Sequence, residues 1–306
     1  MGHELEDVKE LSGLIVVDKG EGITSQGAVN RIKRLFGVKK AGHTGTLDPL
    51  ATGVLPVLVG RGVKASEFML TDDKHYIATL LLGITTDTED VTGEVLTRTE
   101  RIPAEDEVLK VTQNFVGKIK QVPPMYSAIK VGGKKLYELA RDGQVIEREA
   151  REVTVYSIGV EKKGEREYTL DIKCSKGTYI RTLCADIGAA LGVGGVMKTL
   201  RRAEAAGFTL DRSYTLEELE NMSYEERLET VLPIEEVFSG YGIVRLPAFF
   251  EKLAKSGLEI YLKKIGITLD VGTRVRLYGS SDFFAVGEVR EFEDGLAIKP
   301  IRQFDI

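Results

Sequence analysis

Between residues 41 and 56 the chain reads AGHTGTLDPLATGVLP, a stretch that leaves its backbone little choice. Glycines at 42, 45 and 53 suit positive φ angles or a close backbone approach to a ligand. Pro49 and Pro56 fix φ and stiffen the loop on either side of Asp48. An irregular loop is therefore expected over 41–53, feeding an apolar strand at 54–59. Two readings of Asp48 stand. A rigid, glycine-lined loop can fix a reactive carboxylate. Alternatively, Asp48 caps a helix that begins at Pro49, because Asp followed by Pro fits the two positions that open a helix. Spacing alone leaves both open.

Around this loop the pattern alternates between strands and helices. GLIVVDK (13–19) predicts a buried strand, followed by a helix capped by Thr24 or Ser25 and ended by Gly37. Further strands are expected at 75–82, 127–131 and 196–204, with a hairpin of 153–162 and 167–174. Helices are expected from Pro103 to about 115 and over 178–191. Residues 84–93, polar and threonine-rich, predict an exposed loop. Thr215 with Glu218, and Ser223 with Glu226, match a helix-opening capping box. After a linker at 239–242, glycines at 266, 272, 279, 287 and 295 punctuate short β-rich runs, which predicts a small barrel or sandwich. The fold class is α+β: a mixed, largely antiparallel sheet over 1–237, then a small β-barrel over 238–306.

Charge placement bears on the partner. The net charge is −5, yet residues 216–237 hold eight glutamates against one arginine, so the rest of the chain carries +2. Basic residues gather at Arg31, Lys33, Arg34, Lys39 and Lys40, at Lys130, Lys134 and Lys135, and at Lys198, Arg201 and Arg202. Each group alone reads as a solvated face, but three beside glycine-rich loops favour phosphate contact. The acidic segment reads as a solvated helical face. No apolar run reaches the ~20 residues that a membrane helix needs, and the acidic first nine residues do not form a signal sequence. A cytoplasmic protein without membrane contact is expected.

Other chemistries lose their support. The run GVGGVMKT (192–199) fails as a phosphate loop because Met197 stands where glycine must precede the lysine. Asp87, Glu89 and Asp90 lack the glycine and distal glutamate of a calcium loop. Cys174 and Cys184 form no CxxC pair, and with His3, His43 and His75 they give no zinc spacing. No metal is expected.

The loop AGHTGTLDPLATGVLP resembles the signature of the bacterial TruB family, the tRNA pseudouridine-55 synthases. In the same order, VVDKGEGITS (16–25), KHYIATLLLGITTDTEDVTG (74–93), VPPMYSAIKVGGKKLYELAR (122–141), REVTVY (151–156) and CSKGTYIRTL (174–183) resemble its other motifs. The likeness runs to about residue 210, and the C-terminal segment is similar in kind to a PUA domain. One departure is Gly20, where the family usually has proline after Lys19; the turn gains freedom, and activity is expected to survive.

The resemblance implies that the chain isomerises a uridine in the T-arm stem-loop of tRNA to pseudouridine. The base leaves the helix, its N1–C1′ bond breaks, and it rejoins through C5, with no metal, redox cofactor or obligate protein partner. A monomer is expected. Asp48 becomes the catalytic carboxylate, acting at C1′, at C6 or on a sugar proton. Tyr76 stacks on the base, Arg181 pairs with Asp48, and Tyr179 and Leu200 line the pocket. His43 packs against the substrate loop, while Lys19 and Arg202 meet phosphate. Without the resemblance, Tyr76, Tyr179 and Leu200 read as core and Arg181 as a surface charge. The competing function is a non-catalytic tRNA-binding or tRNA-folding protein, which would not need Asp48.

Overall fold

Unbroken apolar runs and strands of alternating apolar and polar side chains together build a ten-stranded sheet. In the computed structural model, residues 11–69, 73–127, 130–141, 143–144, 146–280 and 282–304 are described. The main strands are β1 (Gly13–Lys19), β2 (Thr52–Val59), β3 (Lys74–Leu82), β4 (Gly117–Gln121), β5 (Arg151–Lys162), β6 (Glu167–Cys174) and β7 (Gly195–Ala205). Across the sheet they run β1-β2-β7-β3-β6-β5-β4, with Tyr214–Thr215 outside β1. Only β1 with Tyr214–Thr215 and β2 with β7 pair in parallel along this path, so the sheet is mixed and largely antiparallel, as expected.

Both faces of β1 and β2 are covered. Ile15, Val17, Leu55 and Val57 meet Ala28, Val29 and Ile32 of helix α1 (Ser25–Leu35). Leu14, Val16, Val54 and Leu58 face a second core with Phe208, Ile234 and Phe238. A strand buried on both sides reads as an unbroken apolar run, which is why GLIVVDK shows no alternation. By contrast β3 buries only Tyr76, Ala78, Leu80 and Leu82, its alternate residues. Helix α2 (Glu105–Gln113) and helix α3 (Ile180–Ala190) complete this half, α3 burying Leu183, Cys184 and Ile187. Gly188 of α3 lies so close to Gly195 of β7 that an added Cβ would sit 2.1 Å from the Gly195 nitrogen.

The register places candidate residues side by side. Lys19 pairs with Gly53, Gly53 with Arg202, and Arg202 with Tyr76. Four strands thus bring into one transverse row residues far apart in the chain, at roughly 4.8 Å per step.

Residues 242–303 form a second sheet. Its strands are β8 (Gly242–Arg245), β9 (Ile260–Tyr261), β10 (Arg274–Tyr278), β11 (Phe283–Phe292) and β12 (Gly295–Gln303), ordered β8-β10-β11-β12-β9, with helix α4 (Ala248–Lys255). The pairing traces an open five-strand path rather than a closed barrel. The expected linker at 239–242 is a packed corner: Phe238 meets Phe68, Tyr241, Phe283 and Phe304 at centroid distances of 5.2–5.8 Å.

Other expectations need adjustment. The 84–93 loop is partly enclosed, with Thr86 and Asp90 buried, and it begins a hairpin of Ile84–Thr86 with Val95–Arg98. Helix α2 starts at Glu105, so Pro103 precedes it. Both capping boxes form, opening the short helices Leu216–Asn221 and Tyr224–Glu229. Residues 1–10 and 128–129, and the side chains of Lys130, Lys134 and Lys135, lie outside the described residues. No described helix is long and apolar enough to cross a membrane.

Candidate active site

The position of Asp48 is set from helix α1. Thr24 caps that helix by accepting from the Gly27 amide (2.9 Å), which frees Ser25 for another partner. The buried Ser25 hydroxyl donates to the Leu47 carbonyl (2.9 Å) and accepts from the Leu47 amide (2.8 Å). The residue before Asp48 is thereby clipped to the helix. No helix begins at Pro49: residues 48–51 form only a turn, closed by the Ala51 amide donating to the Asp48 carbonyl (3.1 Å). The capping reading of Asp48 fails, and its carboxylate is left for another partner.

That partner is Arg181, in the first turn of α3, whose Nε stands 3.0 Å from Asp48 Oδ2. Its side chain is 6% exposed, against 37% for that of Asp48. The surface-charge reading of Arg181 fails too. Nη1 donates to the Thr88 carbonyl (3.1 Å), Nη2 donates to the Tyr126 carbonyl (2.7 Å), and Asp90 Oδ2 lies 3.9 Å from Nη1. A guanidinium held at each of its nitrogens cannot swing away from Asp48. Burial pushes the Asp48 carboxyl above the usual carboxylate range, Arg181 pulls it back, Asp90 pushes it up and Lys19 pulls it down. The net direction is upward.

Lys19 and Arg202 need correction. Both are 0% exposed and turn inward, closed to a phosphate from this position. The Lys19 ammonium donates to the carbonyls of Gly20 (2.8 Å), Ile23 (2.8 Å) and Pro49 (3.3 Å). It ties the segment around Gly20 to the turn after Asp48. Burial lowers its pKa to about 8, against the pull of Asp48. Arg202 donates from Nε to the Val54 carbonyl (2.7 Å) and from Nη2 to the Gly45 carbonyl (3.1 Å), bracing the loop at both ends. Gly53 is required beside it: φ is +104°, and a Cβ would lie 2.2 Å from the Arg202 carbonyl oxygen.

The remaining candidates differ in burial and in their charge environment. Tyr76 is 7% exposed, and burial raises its phenol pKa while Arg202 lowers it, so the ring is neutral near pH ~7. His43 is half-buried and its Nδ1 is enclosed without a hydrogen-bond partner. Burial, then Arg202, lowers its pKa and favours the neutral ring. Leu200 is 8% exposed. Tyr179 caps α3 through its backbone alone, and burial raises its phenol pKa. Buried Gln121 grips that backbone at both ends, donating to the Tyr179 carbonyl (3.1 Å) and accepting from its amide (3.0 Å). Arg201 is paired with Asp18 (2.7 Å) and Lys198 with Glu167 (2.5 Å), while Arg34, Lys39 and Lys40 are exposed.

Asp90, Ser25 and Gln121 are structural partners that sequence reasoning missed. The 87–90 carboxylates had drawn attention only as a possible metal site, and among the described residues no cluster fits a metal ion. The arrangement offers one partly open carboxylate on a fixed guanidinium, and a tyrosine whose phenol feels that carboxylate.

The chain matches the N-terminal domain of the TruB family pseudouridylate synthases over residues 33–180 and the tRNA pseudouridylate synthase B C-terminal domain over residues 181–239. It is 42% identical to "tRNA pseudouridine synthase B" of Alkaliphilus oremlandii over 282 residues, covering 92% of this chain and 94% of that protein. It is also 42% identical to the protein of that name in Saccharophagus degradans over 306 residues, covering 95% and 96%. Among solved structures, a chain of a Cbf5-Nop10-Gar1 complex is similar with TM-score 0.69 and 26% identity, over 95% of this chain and 84% of that one. A chain of an H/ACA RNP bound to a substrate RNA containing 2′-deoxyuridine shares the fold, with TM-score 0.72 and 24% identity, over 96% and 85%. Matched over more than nine-tenths of its length by proteins of one kind, the chain belongs to the TruB family of pseudouridylate synthases.

Proposed function

We propose that this protein converts the T-arm uridine at position 55 of tRNA to pseudouridine, with Asp48 as its catalytic carboxylate. The observation that carries the reading is the partly open Asp48 carboxylate seated on the nearly closed Arg181 guanidinium. The N1–C1′ bond breaks, a C5–C1′ bond forms, the C5 proton is lost and N1 gains one. Product and substrate hold the same atoms at the same oxidation level, so the conversion requires no redox partner. Glycosidases flank the scissile bond with two working carboxylates. Here Asp90 lies deeper, buried at 6% exposure and engaged by its own loop, which favours isomerisation over hydrolysis.

The target uridine leaves the helical stack at a cost of a few kcal/mol, to order of magnitude, offset by stacking of about 1–3 kcal/mol on a ring such as Tyr76. We take Tyr179, Leu200 and His43 to border the same space, as the resemblance implies. We assign residues 1–237 to the catalytic unit and 238–306 to a PUA-like RNA-binding unit acting as part of a monomer. What supports RNA contact there is the resemblance in kind of this β-rich segment to an RNA-binding module.

Asp48→Asn is the decisive variant. It is expected to bind unmodified tRNA nearly as the wild type does and to form no pseudouridine, read by mapping pseudouridine in tRNA incubated with the pure protein. Turnover by purified Asp48→Asn would remove the mechanism. A wild type that binds the T-arm and modifies nothing would favour the tRNA-folding reading instead.

A further inference from the structure

Glu89 stands between the two groups that hold Arg181 from the 84–93 turn. Its neighbour Thr88 presents a carbonyl to Arg181 Nη1 (3.1 Å), and its other neighbour Asp90 places Oδ2 3.9 Å from the same nitrogen. Glu89 has φ +63°, the left-handed conformation that a residue with a Cβ rarely adopts. Such a conformation persists where surrounding contacts over-determine it. Those contacts are present. The Met197 amide donates to the Glu89 carbonyl (3.0 Å), and the Val91 amide donates to the Met197 carbonyl (3.1 Å), fastening the turn to strand β7. Asp90 Oδ1 accepts from Thr88 Oγ1 (2.8 Å), Thr92 Oγ1 (2.6 Å) and the Thr92 amide (2.9 Å), closing the turn on itself.

What remains is the link to the helix that carries Arg181. Glu89 Oε2 accepts from Thr182 Oγ1 at 2.6 Å. Thr182 follows Arg181 in α3 and is 4% exposed. The guanidinium and its two receivers on the turn are therefore joined by a second, shorter loop of contacts through Glu89 and Thr182. Burial raises the Glu89 pKa while the Thr182 hydroxyl and Arg181 lower it.

We propose that Glu89, through its bond to Thr182, is a positioning residue that sets the seat of Arg181 and so the aim of the Asp48 carboxylate. The inference rests on the reading that Asp48 and Arg181 work in pseudouridine formation. Among the described residues, Glu89 bonds to Thr182 and Met197 and not to Asp48. Its effect is on the geometry of the reacting carboxylate, and small displacements there are amplified in rate.

The test compares single-turnover pseudouridine formation at saturating unmodified tRNA with tRNA affinity and thermal unfolding, for Glu89→Ala, Glu89→Gln, Thr182→Val and Glu89→Ala with Thr182→Val. Glutamine keeps an acceptor oxygen, and valine keeps the shape of threonine without its hydroxyl. Glu89→Ala and Thr182→Val are each expected to lower the rate by about 10-fold with tRNA affinity unchanged, and the double variant to fall no further than the larger single loss. Glu89→Gln is expected within about threefold of wild type, a rescue that a general loss of packing would not give. Rates of folded Glu89→Ala and Thr182→Val within about twofold of wild type overturn the inference, as do multiplying losses in the double variant. So does a loss confined to tRNA affinity. If Glu89→Ala does not fold, Thr182→Val and Glu89→Gln decide alone: Thr182→Val must be slow and Glu89→Gln fast. An active Asp48→Asn would instead defeat the reading beneath, whatever the Glu89 variants do.

Discussion

A guanidinium almost closed to water must find its partners inside the protein, and Arg181 finds two carboxylates and two carbonyls. Arg181→Lys offers a point charge that cannot span these directions at once. Single-turnover rate at saturating tRNA is expected to drop by about 100-fold, with tRNA affinity retained. Arg181→Met adds a pH signature. Asp48 titrates above the ordinary carboxylate range, and Arg181 is the strongest influence drawing it down. Without that cation the carboxyl takes a proton at higher pH, so the acid limb of the rate profile must move upward. An acid limb that stays in place would separate Asp48 from the rate. Glycine and proline framing singled out Asp48 locally, yet spacing alone left it between a reactive carboxylate and a helix cap. Arg181 became legible as the partner of Asp48 only through resemblance, since a lone arginine reads as surface, whereas Tyr76 on its strand stands in the core, 7% exposed. Lys19 and Arg202 were read as phosphate ligands because a basic residue in a chain does not disclose which way it points. Here backbone carbonyls capture both. Asp90 was hidden for the opposite reason: a polar loop reads as exposed, yet its threonines satisfy the carboxylate and permit burial.

Among the elements, helix α3 carries the most unusual electrostatics. Burial, followed by Glu89, raises the Asp186 carboxyl to about 6. A carboxyl raised on folding binds its proton more tightly in the native state than in the unfolded chain. Its contribution is full below the unfolded value of about 3.9 and is lost as pH climbs through about 6. Asp186→Asn is therefore expected to unfold at a temperature higher than wild type near neutral pH, by roughly 1–3 °C for a half-exposed group. The gap should close below about pH 4. Thermal unfolding at both pH values checks it; an equal gap at both would assign the change to something other than titration. Most element types followed from local pattern: the two capping boxes, the β5–β6 hairpin and the α1 face all form as read. Strand order did not follow. The row of Lys19, Gly53, Arg202 and Tyr76 depends on β7 entering between β2 and β3, a long-range pairing that no short spacing encodes.

At the scale of the whole molecule, the two sheets share a core. Leu14, Val16 and Val54 of the first pack in one cluster with Tyr278, Phe283, Val286 and Phe304 of the second, around Phe238. A single cooperative unfolding transition is expected in calorimetry, and Phe304→Ala should destabilise the protein by about 3–5 kcal/mol because Phe304 is 0% exposed. Two separated transitions would contradict the shared core. A chain cut near residue 238 loses more than an RNA-binding segment, since it strips Tyr241, Phe283 and Phe304 from Phe238, which is 1% exposed. Contacts to RNA in the second sheet are better probed by surface substitutions that leave this aromatic joint intact. The same joint bears on exchange between relatives. A terminal β-rich segment grafted from another protein must bring rings that seat on Phe68 and Phe238, so the two halves have to be exchanged, or redesigned, as a matched pair.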